Sequence, residues 1–229
     1  MSFKYPRFIA HRGASGSAPE NTLKAFREAK RLGASMVEFD VGLCADEVAV
    51  VIHDDTVDRT TNGHGNVLAL TLAELRALDA GEGERIPTLG EVLACLVELN
   101  LAANIEIKPC RGLEKRTVST VLADIARWQA KLPAIVISSF SNVVLNEVRR
   151  QSDQSLLAAL FEALPEGWEK QIVHLNCISV NLNKAHINAQ KIQLIKSKGY
   201  QVLCYTAETS REAEPCFEMG VDAVFVNNI

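Results

Sequence analysis

A (β/α)8 barrel is the fold this sequence predicts, on three observations. Nine short apolar, β-branched runs punctuate the chain. Amphipathic segments long enough for helices lie between most of them, and strand–helix alternation of that kind builds parallel sheet. Two of the runs, Met36–Val41 and Val48–Ile52, are too close for a helical crossover and must form a hairpin, which leaves eight strands to close a barrel. An open doubly wound sheet is the alternative, but no Gly-x-Gly-x-x-Gly follows a strand to support it.

The elements follow in order. Phe8–Ala10 is the first strand. Residues 22–32 carry Leu23, Phe26, Ala29 and Leu32 at three-residue spacing, with Asn21 as N-cap and Gly33 at the C′ position. The hairpin is expected to turn at Asp46-Glu47, a register that sets Asp40 opposite His53. Residues 54–87, rich in Gly, Asp, Thr and Asn, read as an insertion with one weak helix at 71–79. Residues 88–99 begin at Thr88 and place Val92, Leu93, Leu96 and Leu99 on one stripe, leading into the strand Ala103–Ile107. Helical patterns at 113–130, 141–151, 185–198 and 209–219 alternate with the strands Ala134–Ile137, Leu156–Leu160, Ile178–Val180, Gln201–Tyr205 and Ala223–Val226. No eighth helix follows the last strand, so one barrel flank is expected to be open or otherwise covered. Residues 1–229 thus read as one barrel domain containing the insertion.

Composition narrows the function. Hydrophobic content of 48% and charged content of 23% are those of a globular chain, which excludes a mainly disordered one. A net charge of −4 argues against a nucleic-acid partner or an anionic membrane, both of which call for a basic face. The absence of long apolar runs argues against membrane insertion. No signal segment opens the chain, and Cys44, Cys95, Cys110, Cys177, Cys204 and Cys216 are widely scattered; together these predict reduced thiols in a cytoplasmic protein. The partner expected is a small molecule, and nothing in the sequence sets an oligomeric state.

In a barrel of this type the C-terminal ends of the strands build the active site. Those ends read His11-Arg12-Gly13, Glu38-Phe39-Asp40, His53-Asp54 and Glu106-Ile107-Lys108. Glu38 and Asp40, two apart, share one side of a strand. Paired carboxylates facing a barrel interior repel each other unless a hard cation sits between them, and Glu106 on the neighbouring strand would add a third oxygen. Magnesium or calcium suits such a set. The alternative reading of the pair is an exposed strand edge, which the third carboxylate disfavours. His11 and His53 sit at strand ends beside the cluster and are candidates for general acid and base, whereas His64, His174 and His186 read as structural or surface residues. Arg12 and Lys108 either balance the carboxylates or clamp an anionic oxygen, with Arg12 suited to a phosphate fork. The combination fits phosphoryl chemistry on a phosphate ester.

The string His11-Arg12-Gly13, Ala18-Pro19-Glu20-Asn21-Thr22, Glu38-Phe39-Asp40, His53-Asp54, Arg59-Thr60-Thr61-Asn62-Gly63 and Asn104-Ile105-Glu106-Ile107-Lys108-Pro109 resembles, in order and spacing, the glycerophosphodiester phosphodiesterase family. Weaker echoes continue in Ser138-Ser139-Phe140, Tyr205-Thr206 and Gly220-Val221-Asp222-Ala223, so the likeness covers essentially the whole chain. The resemblance implies a (β/α)8 barrel with a small insertion. It implies hydrolysis of glycerophosphodiesters, such as glycerophosphocholine or glycerophosphoethanolamine, to an alcohol and sn-glycerol 3-phosphate. By the same likeness Glu38, Asp40 and Glu106 hold the metal, His11 acts as base and His53 as acid, Arg12 contacts the phosphate, and Lys108 is the lysine of the Glu-Ile-Lys motif, taken with Arg12 as substrate-binding. Three places depart from the family pattern: Asp46-Glu47 at the hairpin turn where Asp-Gly is usual, Glu208 where a neutral amide is usual, and Asn227-Asn228-Ile229 in place of Thr-Asp-x-Pro. Glu208 is expected to alter substrate contact. Other readings are a Schiff-base aldolase using Lys108, a degenerate barrel that binds glycerophosphodiesters without turnover, and a phosphodiesterase acting on lysolipids or phosphoinositides. No exposed aromatic loop suggests a lip for a lipid.

Overall fold

Strand β1 (Phe8–His11) lies between β2 (Met36–Leu43) and β9 (Ala223–Asn228) and pairs in parallel with both, which closes the sheet into a barrel in this computed structural model, which describes residues 3–229. Going round from β2, the barrel continues through β4 (Ala102–Ile107), β5 (Ile135–Ser139), β6 (Leu156–Phe161), β7 (Cys177–Asn183) and β8 (Gln201–Thr209), all parallel. Strand β3 (Ala49–Val51) is the ninth, antiparallel to the far end of β2 and outside the closed ring. The predicted (β/α)8 barrel with a hairpin partner is the observed architecture.

The helices form where the apolar stripes run. They are α1 (Leu23–Arg31), α2 (Leu72–Ala77), α3 (Leu89–Leu99), α4 (Glu114–Trp128), α5 (Asn142–Gln151), α6 (Trp168–Leu175), α7 (Ala189–Ser197) and α8 (Ser210–Glu218). Thr71 and Thr88 each form a capping box with the glutamate three residues on, fixing where α2 and α3 start. Outward strand residues such as Phe39 pack on these helices. Its ring centroid lies 5.4 Å from that of Phe26 on α1, and burying a phenylalanine fully contributes about 2–3 kcal/mol. Among the described residues no helix is long and apolar enough to cross a membrane.

Three local expectations change. The N-cap of α1 is Thr22, whose Oγ1 accepts from Ala25 N–H; Asn21 instead has φ +59° and turns its amide to the site. The stretch 185–198 splits into a 3-10 turn at Lys184–His186 and α7, capped by Asn188. Helix α6 carries no sequence mark at its start, since its N-cap is Gly167 with no side-chain bond.

The hairpin register also shifts by one. Val41 pairs with Val51 and Ile52 N–H donates to the Asp40 carbonyl, so Asp40 lies opposite Ile52 rather than His53. The cause is a loop of three residues, Ala45-Asp46-Glu47, between Cys44 and Val48, closed by Cys44 N–H donating to the Val48 carbonyl. Glu47 takes the left-handed conformation, φ +58°, that such loops usually give to glycine.

The barrel interior is layered. Tyr5, Ile9, Met36, Val136, Leu203 and Phe225 fill the lower part, with the Tyr5 hydroxyl 2.9 Å from Ser179 Oγ. Above them lies a buried polar belt, in which Asn104 donates to Ser138 at 2.8 Å and Ser179 to Asn181 at 3.0 Å. The charged residues come above the belt, at the C-terminal ends of the strands, where such barrels carry their sites. Between β3 and α3 the insertion packs a separate cluster, including Val57, Val67, Leu75 and Ile86, beside that mouth.

Candidate active site

Strand β1 delivers His11, and the chain must then turn sharply. Arg12 at φ +56° and Gly13 at φ +76° make the turn. A Cβ on Gly13 would stand 2.7 Å from the Ala25 backbone, so only glycine fits against α1. The turn points Arg12 N–H at Glu38 Oε2, 3.0 Å away.

Glu38 and Asp40 face inward from β2, and the parallel register sets Asp40 beside Glu106 and Glu38 beside Asn104 on β4. All three carboxylates are buried, with ligand oxygens within 4.8 Å of one another. At that separation two like charges repel by about 3 kcal/mol at an effective dielectric of about 20. Burial, with repulsion from Asp40 and Glu106, raises the Glu38 carboxyl well above the usual range. Burial and then Asp40 push Glu106 up to about 7. Arg12 Nε lies 3.4 Å from Asp40 Oδ2, and Lys108 Nζ lies 3.1 Å from Glu106 and 3.7 Å from Asp40, so two fixed cations meet three carboxylates. Asn104 Oδ1, also buried and in the same cavity, has no hydrogen-bond partner among the described residues. Converging oxygens whose charge is left uncompensated fit a hard divalent cation held by Glu38, Asp40 and Glu106.

His11 and His53 line the same cavity of about 130 Å³, together with Arg12 and the three carboxylates. Its other wall is apolar, formed by Phe140, Leu160, Tyr205 and Phe225. Phe140 is 46% exposed and meets Tyr205 edge-on, so the mouth does carry an exposed aromatic. His11 Nδ1 lies 2.8 Å from Asn227 Oδ1, and Nε2 lies 4.0 Å from Glu38. Burial, and then the neighbouring Arg12 charge, lower His11 to about 4, so the ring is neutral at pH 7. His53 Nδ1 contacts Asp54 Oδ1 at 2.5 Å, which leaves Nε2 free.

A chain of ion pairs orients these groups. Arg59, from the insertion, bonds Glu20 through both Nη atoms at 2.8 Å and Asp54 through Nε at 2.7 Å and Nη2 at 3.0 Å. Glu20 also accepts from Arg12 Nη1 at 2.8 Å. Burial alone would raise the Glu20 carboxyl, but the two arginines outweigh it and hold the group down at about 2. Asn21 Nδ2 donates to Asp40 Oδ2 at 3.0 Å. Glu208 does not turn to the cavity; its carboxylate accepts from Asn227 and Asn228.

Lys108 speaks against the aldolase reading. Burial would lower its ammonium, but Glu106 and Asp40 overcome that and raise it, the reverse of what a Schiff-base lysine needs. His64 and His174 are bound to Asp58 and Asn146, and His186 pairs with Glu162, all away from the cavity.

Comparison with known proteins identifies the relatives. Residues 11–229 match the model of the glycerophosphoryl diester phosphodiesterase family. The chain belongs to that family. A glycerophosphodiester phosphodiesterase of Caldanaerobacter subterraneus subsp. tengcongensis is 34% identical over 228 residues, covering 96% of this chain and 93% of the relative. Glycerophosphodiester phosphodiesterase 1 of Mus musculus is 35% identical over 161 residues, 66% of this chain and 47% of the relative. Among solved structures, an Oleispira antarctica phosphodiesterase in complex with the product sn-glycerol-3-phosphate superposes with a TM-score of 0.94 at 35% identity, covering 97% of this chain and 93% of that one. The fold, the family and the enzyme class implied by the motifs are those found.

Within this family framework the seven candidate residues His11, Arg12, Glu38, Asp40, His53, Glu106 and Lys108 come together at one end of the barrel. The linking residues Glu20, Asn21, Asp54 and Arg59 stand inside the quoted motifs, but nothing in their spacing assigns them a task. Asn227 stands out in the sequence only as part of a departure from the family pattern; its contact with His11 has no local signal, because it forms only through closure of β9 onto β1.

Proposed function

We propose that this protein hydrolyses small glycerophosphodiesters, such as glycerophosphocholine or glycerophosphoethanolamine, to an alcohol and sn-glycerol 3-phosphate. The observation that carries the reading is one cavity in which two histidines flank a buried three-carboxylate cluster, with Arg12 beside it. The product described in the Oleispira structure agrees with it.

Glu38, Asp40 and Glu106 would hold Mg2+ or Ca2+, which supplies charge stabilisation to the phosphate when bound. The guanidinium of Arg12 and the ammonium of Lys108 bind the non-bridging phosphate oxygens and oppose the charge that builds there. His11, neutral and with Nε2 toward Glu38, takes the proton of the nucleophile, which is water, or the glycerol 2-hydroxyl forming a cyclic phosphate that water then opens to glycerol 3-phosphate. His53, whose Nδ1 is held by the Asp54 carboxylate, delivers a proton from Nε2 to the departing alkoxide. Burial beside Arg12 suits His11 to a neutral base, while the contact with Asp54 holds the His53 ring with Nε2 outward, so the two environments divide the roles. The apolar wall of Phe140, Leu160 and Tyr205 packs the carbon atoms of the substrate. The barrel and its insertion act as one unit, since Arg59 completes the site from the insertion. The six free cysteines fit a reducing cytoplasm.

Release of glycerol 3-phosphate from both diesters, read by a coupled dehydrogenase with EDTA and then with added Mg2+ or Ca2+, tests the reading. Metal-dependent release is expected. Folded protein that binds either diester and releases no product with either metal would leave the binding-only reading instead.

A further inference from the structure

We infer that Glu208 is a positioning residue that acts through Asn227 to keep a proton on His11 Nδ1 and to leave Nε2 bare toward the cavity. The inference rests on the base role proposed for His11. Asn227 presents its amide to His11, and an amide offers an acceptor at one end and two donors at the other. Whichever end faces the ring decides which nitrogen carries the proton.

Glu208 settles the direction. Its Oε2 lies 2.7 Å from Asn227 Nδ2. A carboxylate can only accept, so the amide NH2 must face it and Oδ1 must face His11, 2.8 Å from Nδ1. Ser15 Oγ donates to the same Oδ1 at 3.2 Å, filling its second lone pair. Turning the amide over would set Oδ1 against the carboxylate and would present NH2 to Nδ1, which calls for the proton on Nε2 instead.

The carboxylate is itself held in place. Asn228 Nδ2 donates to Glu208 Oε1 at 3.1 Å and to its carbonyl at 3.0 Å. Asn228 fits there because the neighbour is Gly16, where a Cβ would stand 2.1 Å from Asn228 Oδ1. Strand β8 carries one more residue than β9 between the pairs Cys204–Val224 and Ala207–Val226, and this bulge precedes Glu208. Re-aiming a side chain at the rim of a barrel is a characteristic use of a bulge.

The test uses the whole chain in EDTA, labelled with 15N-histidine, and reads the His11 tautomer by NMR; kcat and KM are measured separately on glycerophosphocholine with Mg2+. The wild type should carry the proton on Nδ1. Glu208→Ala should move population to the Nε2-protonated form and lower kcat by about 10-fold or more with KM within about 2-fold, the range seen when an orienting partner is lost. Glu208→Gln, whose carbonyl still accepts from Asn227, should restore both. Asn227→Asp sets two carboxylates against each other and should lose activity. Adding Glu208→Gln to it should recover activity, because the new amide donates to the new carboxylate. An unchanged tautomer in Glu208→Ala, or no recovery in the double variant, would overturn the assignment. Full activity in His11→Ala would instead remove the base role while the tautomer result still decides the positioning.

Discussion

Replacing Glu106 by glutamine should make the metal-free protein more stable at alkaline pH and abolish its response to divalent metal. Burial and the Asp40 charge lift the Glu106 carboxyl from an ordinary 4.5 to about 7 in the folded chain. Each unit corresponds to 1.36 kcal/mol, so ionising this group costs the metal-free fold about 3 kcal/mol. The folded-state value is the higher one, so the favourable contribution is fully present below 4.5 and is lost as pH rises through 7. Glu106→Gln is nearly isosteric and removes that loss. For a chain of this size about 1 kcal/mol moves Tm by about 2–4 °C, which gives the variant an advantage of roughly 6–12 °C at pH 8 in EDTA and little or none at pH 4. Millimolar Mg2+ or Ca2+ should raise the wild-type Tm more at pH 8 than at pH 5 and leave the variant unmoved. Scanning calorimetry over that pH range makes the comparison. A variant no more stable than wild type at pH 8 in EDTA, or one stabilised equally by metal, would refute the reasoning.

Three further outcomes follow from named contacts. His11→Ala and His53→Ala should each lower kcat by at least about 10²-fold while keeping the metal-induced rise in Tm, and a near-normal rate in either would remove its role. Arg59→Ala breaks the link between Glu20 and Asp54 and should lower kcat/KM by about 10–100-fold, comparable to the loss of other orienting partners. It should change Tm by little, since half-exposed ion pairs contribute about 1 kcal/mol or less; unchanged kinetics would refute the link. Glu47→Gly relieves a left-handed residue, worth about 1–2 kcal/mol, against loss of the exposed Arg116 pair, so calorimetry should show a net gain of about 0.5–1 kcal/mol rather than a drop in Tm.

What the sequence made legible and what it hid divide along physical lines. β-branched runs and helical stripes are local signals, and they located every strand and most helices. Two carboxylates at i and i+2 share a strand face whatever surrounds them, so the pairing of Glu38 and Asp40 is legible in the sequence alone. Glu106 followed once β4 was placed beside β2. The hairpin register was hidden because Glu47 takes a conformation its residue type does not advertise. Helix α6 was hidden because it is only eight residues long, which leaves a stripe of just three buried residues, Trp168, Ile172 and Leu175. Asn21 passed for a helix cap because asparagine is a good one, yet its amide serves Asp40 and Thr22 caps α1 instead. The link from Glu208 through Asn227 to His11 depends on closure of the barrel across 216 residues of sequence, which no local pattern encodes.

The proposed reaction breaks the bond between phosphorus and the head-group oxygen. Phosphorus NMR of glycerophosphocholine incubated with the metal-loaded protein tests it most directly. The diester resonance should be replaced by that of sn-glycerol 3-phosphate, and EDTA should stop the conversion. Accumulation of phosphocholine, or conversion that continues undiminished in EDTA, would contradict it.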